Sequence, residues 1–427
     1  MSILDRLALA PLVTLFVLYP LTAWPTLHWT PQKFRLPLFA AVNVLSLLVL
    51  IIAETVGGVP LTLSLITLYL QVSVAVFVIY LVFVLVSFAV LRWSNNGDEK
   101  RVWVAFLFPL SFLCLIKYWP LSHNPLASRL ELLGNKHLSG FFVGISYMAF
   151  RLSHLVREVR NGAVPSPSTS EYLSFAFFVP AMPVGPISPY STMQRSLSGT
   201  NEPVLLGRAW LRILIGLTKY LFLATIFNQF TYSGLLLDGH PHHVVDLLIA
   251  VPSYTLFLYC NFSGFCDMVI GVSALLGIEV SENFDQPFLT RNLQEFWNRW
   301  HITLSAWFRD MMFTPMLKTL ARRFGPKSMN LMIAVTILCV FLVLGIWHGS
   351  GMNFVIFGLL QGVGVVTVHY YRLALKQFLS KSALAAYQRN PLIRAAAVAT
   401  TFAYFSFTLF FFANSLDDMH RIARALI

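Results

Sequence analysis

Two histidines of the sequence could do chemistry: one stands where an ionisable side chain is costly, and the other stands on a predicted amphipathic helix. His348 lies in IWHGSG, between two long apolar runs, and His301 lies in NRWHITLSAWFRD. A titratable group among apolar residues carries a desolvation cost and is often functional for that reason. An imidazole with a near-neutral pKa can take a proton from an alcohol and return it to a leaving group. The two histidines therefore predict acid–base chemistry. The alternative for His348 is a polar residue at a helix end that bonds to a backbone carbonyl, and the alternative for His301 is a residue of an interfacial helix.

The composition is that of an integral membrane protein. Of 427 residues, 57% are hydrophobic and 11% are charged, and the mean hydropathy is +0.70. Soluble domains carry roughly 25% charged residues. The formal charge of +12 fits basic cytoplasmic loops and contact with anionic lipid. We expect the lipid bilayer, and no nucleic acid, as a partner.

Ten apolar segments are long enough to approach or span a bilayer. We expect an all-α polytopic transmembrane bundle of about 10–11 spans, with re-entrant or broken helices, that encloses a tunnel. The whole chain, 1–427, is predicted to be one integral membrane domain, and its first helix is expected to be retained. The segments are 7–24, 36–56, 61–91, 102–119, 139–156, 208–232, 245–278, 329–347, 352–371 and 395–413.

Two apolar segments contain residues that interrupt helices. The first, 171–193, carries Pro180, Pro183, Pro186 and Pro189. The second, 259–271, contains Asn261 and Asp267, and a carboxylate in lipid should face the interior of the bundle. Non-helical backbone survives at membrane depth only where protein or a water-filled cavity surrounds it. We expect broken elements at both places; a surface hairpin is the alternative for the first.

A helix is predicted from Asn292, as N-cap with Glu295 at N3, to about residue 320. On it, five polar residues recur at helical spacing and form one stripe. They are Gln294, Asn298, His301, Ser305 and Arg309.

The distribution of lysine and arginine predicts the orientation of these segments. The basic segment 291–327 should lie at the cytoplasmic side, whereas the loop 233–246 and the turn 348–353 lack lysine and arginine and should lie outside. His348 then falls in the outer half or near the middle of the membrane. The cluster HPHH, 240–243, is predicted to be a solvated outer loop, with a metal site as the minor alternative. No P-loop, GxSxG or GxGxxG motif is present, which argues against an ATPase, a serine hydrolase or a dinucleotide enzyme.

The sequence resembles the membrane-bound O-acyltransferase family, in the bacterial branch that acylates alginate and teichoic acid. The resemblance covers a core of roughly 139–415, and the N-terminal helices of 1–138 match poorly. Its strongest part is FSGFCDMVIG, then ENFDQP, then EFWNRWHITLSAWFRD, followed by GIWHGSGMNFVIFG. Asn261 stands where the family usually has Asp, and Gln361 replaces a common histidine. The matching residues of the strongest part are Gly264, Asp267, Glu282, Asn283, Pro287, Phe296, Trp297, Arg299, Trp300, His301, Ser305, Trp307, Arg309 and Asp310.

The resemblance implies roles for individual residues. His348 corresponds to the family's essential histidine, and His301 to one near the cytoplasmic mouth where a thioester donor enters. It implies no metal and no permanently bound cofactor; the donor would be acetyl-CoA or the phosphopantetheine of an acyl carrier protein. Asn261 and Asp267 have packing as an equal alternative. The residues expected to contact the donor or line the tunnel are Asn298, Arg299, Ser305, Arg309, Asp310, Asp267, Asn261 and Trp347.

The activity implied is acyl transfer, with acetyl expected first, from a cytoplasmic thioester to a hydroxyl of an extracytoplasmic glycan or wall polymer. D-alanyl transfer to teichoic acid is the alternative within the family, and relay of the acyl group to an extracytoplasmic partner transferase is another. The chain is expected in the bacterial cytoplasmic membrane. A transporter or flippase is the alternative from another class, because broken helices and buried polar groups also suit transport.

Overall fold

The computed structural model describes residues 10–56, 63–95, 97–118, 142–199 and 205–426. Within these ranges the chain is helical, and the only β-type pairings are two isolated bridges, His242 with Leu426 and Phe284 with Trp300. Nine helices of the described part are long and apolar enough to cross a membrane, which confirms an all-α polytopic protein.

The chain forms two compact units. The first comprises Met1–Ile215 and Phe265–Ser281, and the second comprises Gly216–Gly264 and Glu282–Ile427. The principal helices are α1 Ala10–His28, α2 Gln32–Val56, α3 Leu63–Ser94, α4 Glu99–Tyr118, α5 Ile145–Arg160, α6 Thr169–Ala176, α7 Tyr190–Leu197, α8 Leu206–Leu236, α9 Val244–Leu275, α10 Leu293–Trp297, α11 Ile302–Phe308, α12 Thr314–Phe324, α13 Met329–His348, α14 Met352–Phe378, α15 Lys381–Arg389, α16 Pro391–Ala413 and α17 Leu416–Ala425.

The predicted span 139–156 corresponds to α5, which is not among the nine long apolar helices. Residues 139–141 lie outside the described residues. Eleven of the sixteen α5 residues are buried, including Arg151 and Glu158. A helix that buries charged residues on most of its faces suits the interior of a protein unit better than contact with lipid.

The proline-rich segment is a broken helix, as predicted. Helix α6 ends at Ala176, a single 3₁₀ turn covers Val179–Ala181, and helix resumes at Tyr190. The Glu158 carboxylate accepts hydrogen bonds from the backbone N–H groups of Tyr190 and Ser191, at 2.8 and 3.2 Å. Side chains of the first unit thus satisfy backbone groups that the break exposes.

The predicted break at 259–271 is wrong, because α9 continues through it to Leu275. Gly264 lies where α9 approaches α8 closely: a Cβ atom at this position would lie 2.8 Å from the carbonyl oxygen of Gly216. The small residue therefore permits close helix packing and does not interrupt the helix.

The predicted continuous helix from Asn292 to about residue 320 is interrupted at residues 298–301 and resumes from Ile302, with a π-helical turn at Arg309–Phe313, to Phe324. The cap is as expected, since the Asn292 side chain accepts from the N–H of Glu295 at 2.9 Å. Helix α10 nevertheless ends at Trp297 and α11 begins only at Ile302. The five polar residues therefore do not form one stripe on one helix.

Helices α13 and α14 pack through two glycines in the second unit. A Cβ on Gly358 would lie 2.4 Å from the carbonyl oxygen of Phe341 and 3.0 Å from the Cα of Gly345. Gly358→Ala is expected to force the helices apart and to cost about 1–3 kcal/mol of stability, as overpacking does. Thermal unfolding of the purified protein measures the loss.

The matched control for this prediction is Gly207→Ala in α8, where an added Cβ meets nothing within 4 Å. That change should leave the thermal midpoint unchanged or raise it, since alanine is about 1 kcal/mol better than glycine in a helix. Equal midpoints for the two variants would contradict the close packing.

Candidate active site

His301 lies at the junction between α10 and α11. Its φ is +45°, in the left-handed region that non-glycine residues rarely adopt. On either side of it the chain pairs with the segment around Asn283: the N–H of Ile302 donates to the Asn283 carbonyl at 3.0 Å, and the N–H of Asp285 donates to the Arg299 carbonyl at 3.0 Å. Such backbone conformations persist only where the surroundings hold them, and they cluster at functional sites.

The side chain of Asn283 determines which nitrogen of His301 carries the proton. Its Oδ1 accepts from the backbone N–H and the hydroxyl of Thr303, at 3.2 and 2.9 Å. The Nδ1 of His301 lies 3.1 Å from the same atom. Because a backbone N–H only donates, the atom facing it must be the amide oxygen, so Nδ1 donates to it. In the neutral ring, Nε2 is then the basic nitrogen.

His301 is buried, with 4% of its surface exposed, and the ring of Phe262 meets it edge-on at 4.7 Å. Burial, and to a smaller extent the charge of His348, lower the pKa of His301 to about 3. Both histidines belong to the second unit. At neutral pH His301 is neutral.

This pKa shift predicts how stability depends on pH. In the unfolded chain His301 takes up a proton near pH 6.5, but in the folded chain it stays neutral down to about pH 3. The unfolded state therefore binds more protons below pH 6.5, and stability falls as the pH falls. Between pH 7.5 and 5.5 the loss from this one group is about 1 kcal/mol.

Thermal unfolding of the wild type and His301→Gln at the two pH values tests this prediction. The glutamine variant should lose less stability on acidification than the wild type. An identical loss in both proteins would show that His301 titrates normally in the folded state.

His348 is the last residue of α13, just before the extended Gly349. Its ring contacts the edges of Phe412, at a centroid distance of 5.0 Å, and Phe357, at 5.9 Å. The ring of Trp347 lies 4.5 Å away. His348 is only partly exposed, so an aromatic wall surrounds an imidazole that remains accessible.

A buried hydrogen-bond chain connects three helices of the second unit. The indole N–H of Trp297 donates to the Gln361 carbonyl oxygen at 3.1 Å, and the Gln361 amide donates to the Thr408 hydroxyl at 2.6 Å. Gln361 and Thr408 are fully buried. Because α10, α14 and α16 each contribute one residue, the chain fixes α10 just before the junction that holds His301.

The charged residues predicted for the donor side lie at the surface of the second unit. Arg299 pairs with Glu295 at 3.2 Å and with Asp285 at 4.0 Å. Arg309 pairs with Asp310 at 3.0 Å, and both side chains are at least half exposed. These exposed pairs contribute little stability, so the arginines can exchange them for an anionic ligand.

The remaining predicted residues have separate surroundings. Asn298 is exposed at the end of α10, whereas the Ser305 hydroxyl donates to the Trp300 carbonyl at 3.4 Å. Asn261 and Trp347 are partly exposed, on α9 and next to His348.

Asp267 belongs to the first unit, where it forms a salt bridge. Its carboxylate accepts from Arg212 Nη2 at 3.0 Å and from Nε at 3.1 Å. The Arg212 side chain is 32% exposed and that of Asp267 13%. A partly buried, doubly hydrogen-bonded pair supports a packing role for Asp267.

In the cluster 240–243, His240, Pro241 and His243 are exposed, as expected for a solvated loop, whereas His242 is partly buried. His242 lies 2.9 Å from an Asp238 carboxylate oxygen and 3.5 Å from an Asp246 oxygen, and its side chain is 10% exposed. Hydrogen bonds that the His242 ring donates to these carboxylates, first of all to Asp238, raise the pKa of His242. In the part of the chain that the structure describes, no group of three His, Cys, Asp or Glu residues is arranged to hold a metal ion.

Sequence reasoning did not identify Asn283 as a site residue. It belongs to the matching stretch ENFDQP, but no periodicity connects it to His301, eighteen residues later. The signal that was available is its place in this motif, in a turn-rich segment; that the residue is fully buried is known only from the structure.

Comparisons with known proteins agree with the resemblance. The model of the MBOAT, membrane-bound O-acyltransferase family, matches residues 61–413. A teichoic acid D-alanyltransferase of Streptococcus thermophilus is 28% identical over 77% of this chain and 79% of its own. A peptidoglycan O-acetyltransferase of Helicobacter pylori is 30% identical over 49% of this chain and 40% of its own. A probable alginate O-acetylase of Pseudomonas aeruginosa is 26% identical over 59% of this chain and 48% of its own.

Proposed function

This chain belongs to the membrane-bound O-acyltransferase family, and from that membership and the paired histidines we propose that it moves a small acyl group from a cytoplasmic thioester to a hydroxyl of an extracytoplasmic polymer. It is a multi-pass membrane protein and an acyltransferase. The observation that carries the proposal is a partly exposed His348 against the rings of Phe357 and Phe412, in the same compact unit as a buried His301 that Asn283 holds. The cytoplasmic membrane of a bacterium is the proposed location, as the relatives above are bacterial.

His348 is the proposed general base. It takes the proton of the acceptor hydroxyl as the oxygen attacks the thioester carbonyl carbon. The new C–O bond forms, the C–S bond breaks, and the leaving thiolate receives the proton from the imidazolium. The rings of Trp347, Phe357 and Phe412 beside His348 limit the access of water, which favours transfer over hydrolysis of the thioester.

His301 is proposed to position the reactants. A base with a pKa of about 3 accepts a proton poorly at neutral pH. Its Nε2, with the proton held on Nδ1 by Asn283, can instead accept a hydrogen bond from a donor in the site. The exposed arginines Arg299 and Arg309 suit the phosphates of coenzyme A or an acidic carrier protein.

The extent of similarity reverses the order expected from the sequence, which put acetyl first, and favours D-alanyl as the acyl group. The chain covers 79% of the D-alanyltransferase above but less than half of the two acetylating relatives. D-alanyl transfer from a carrier protein to teichoic acid is therefore our first candidate. Acetyl transfer to a polysaccharide or peptidoglycan hydroxyl is the second, supported by the higher identity of the peptidoglycan O-acetyltransferase, 30%.

A test of the proposal uses the purified protein in lipid vesicles with a phosphopantetheine thioester donor. D-alanyl carrier protein and acetyl-CoA are offered separately, with a glycerol-phosphate oligomer or a glycan oligomer as acceptor. Mass spectrometry should show one oligomer gaining one acyl group from one donor only. If both thioesters remain intact while labelled oligomer crosses the vesicle membrane unchanged, the protein is a transporter.

The same experiment distinguishes direct transfer from relay. Direct transfer needs only this chain, the donor and the oligomer. In a relay, the acyl group appears on the oligomer only when an extracytoplasmic partner transferase is added. Donor consumption without acylation of the oligomer would indicate the relay.

A further inference from the structure

A basic cavity lies beside the C-terminal helix of the second unit. It has a volume of about 300 Å³, and its walls are the turn after α8 and the last turns of α17. The polar part of the lining consists of His240, Arg421 and Arg424, and Leu236 and Leu237 form an apolar side. A cavity of this size accommodates a small ligand or one repeat of a polymer.

The cavity is built from well-packed elements. Ile422 of α17 is buried in a cluster with Tyr232, Leu236 and Ala250. The N–H of His242 donates to the Ala425 carbonyl at 2.7 Å, and so joins the loop to the end of the helix. The two arginines are therefore displayed from a docked helix and not from a loose tail.

The charge of the cavity suits an anion. Arg421 contacts Asp418 and the Leu237 carbonyl, both at the long distance of 3.4 Å, and its side chain is 60% exposed. Arg424 has no ion-pair partner among the residues that the structure describes. Exposed pairs of this kind are worth little, so an incoming phosphate or carboxylate can take the place of Asp418.

The two arginines are also predicted to lie on the outer side of the membrane, where lysine and arginine are uncommon. Five lysines and arginines precede or begin α16 within 372–394, which predicts the cytoplasmic side for its start. Crossing by α16 places α17 outside, together with the loop 233–246. Lysine and arginine are usually concentrated in cytoplasmic loops. A role in binding an anion would explain why two arginines lie on the outer side.

The cavity lies near the proposed base. Phe412, near the end of α16, contacts the ring of His348 at 5.0 Å. Two residues earlier, Phe410 packs against Tyr232 of the cluster that holds α17, at 5.4 Å. The cavity and His348 thus both lie near the same end of α16. A polymer held in the cavity can extend from there toward His348.

We propose that this cavity is an anion subsite that holds a phosphodiester or carboxylate group of the acceptor polymer while a neighbouring repeat is acylated at His348. The inference rests on the proposed function, because it assumes an anionic acceptor on the outer side. The subsite retains the polymer but takes no part in the chemical step. It should therefore affect the KM for long acceptors and leave kcat unchanged.

The test compares Arg421→Gln/Arg424→Gln with the wild type on glycerol-phosphate oligomers of one repeat and of many repeats. For the long oligomer the KM should rise about ten-fold or more, as loss of charge-assisted contacts implies. For the single repeat neither constant should change. The charge-matched control is Arg389→Gln/Arg394→Gln, two exposed arginines of the basic segment, which should behave as wild type. Arg421→Lys/Arg424→Lys keeps the charges and should recover much of the affinity.

A binding measurement without a donor tests the anion subsite independently of acyl transfer. A fluorescent glycerol-phosphate oligomer and a neutral glycan oligomer are titrated into the whole protein without a donor. Salt-sensitive binding of the anionic oligomer, lost in the glutamine double variant, supports the subsite even if no transfer is ever seen. Equal binding by wild type and variant would overturn it, whatever the transfer assay shows.

A lipid headgroup is the competing source of the same phosphate chemistry. The titration is therefore repeated in vesicles with and without phosphatidylglycerol. If the double variant loses only its preference for phosphatidylglycerol vesicles and binds the oligomer normally, the arginines bind lipid and the acceptor subsite is refuted.

Discussion

Replacing His348 by alanine should lower acyl transfer about 10²–10⁴-fold, the usual contribution of a general acid–base group. The protein should still fold, because His348 is a partly exposed residue at the very end of α13. The neighbouring ring of Phe412 keeps its contacts with Phe354 and Phe357 without it. Initial rates of the purified variant in vesicles, together with its thermal midpoint, measure both effects. The loss should appear in kcat, since the proton transfer occurs in the transition state.

An exposed histidine provides the control for this prediction. His28 ends α1 and is exposed, so His28→Ala should keep the rate of the wild type. Full transfer by a well-folded His348→Ala protein would refute the assignment of the base.

Replacing Asn283 by leucine should have the second largest effect, on both stability and rate. Three groups use its Oδ1: the N–H and hydroxyl of Thr303, and Nδ1 of His301. Each buried donor left without an acceptor costs about 1–3 kcal/mol. Loss of the acceptor also frees the His301 tautomer and its left-handed backbone conformation. We expect a large fall in thermal midpoint and a rate lowered at least as much as by His301→Gln.

The variant Asn283→Asp tests whether Asn283 acts through the protonation of His301 or only stabilises the fold. The carboxylate keeps the acceptor oxygens, so the fold should survive, but its charge beside His301 favours the imidazolium. The pKa of His301 should rise, and the acidic limb of the rate profile should move to higher pH. A profile identical to that of the wild type would show that Asn283 does not act through His301. Asn161→Ala, an exposed C-cap of α5, is the matched control and should change neither stability nor profile.

The features predicted correctly from the sequence depend on residues that are close together in the chain. The N-cap of α10 involves Asn292 and the N–H three residues later, so it depends on neighbours in sequence. The proline-rich break before Tyr190 follows from the missing N–H and the rigid ring of proline. Apolar length likewise indicated the long helices.

Two predictions of helix ends were wrong. In the first, polar residues were expected to end a helix, but they do not do so by themselves. Helix α9 continues through Gly264, where the missing side chain allows contact with α8. At His301 the opposite happens: a sequence with good helical spacing is interrupted. Hydrogen bonds from the distant Asn283 segment stabilise the left-handed residue there, and local periodicity carries no information about them.

The sequence by itself determined that this is an all-α membrane protein of the O-acyltransferase family with His348 and His301 as candidates, because hydropathy and motif order are properties of the chain alone. Only the tertiary structure decided that both histidines belong to one compact unit, that Asn283 sets the tautomer of one of them, and that two arginines of α17 line a cavity with the loop after α8. These relations depend on contacts between residues far apart in sequence, and packing of the folded chain decides which of those contacts form.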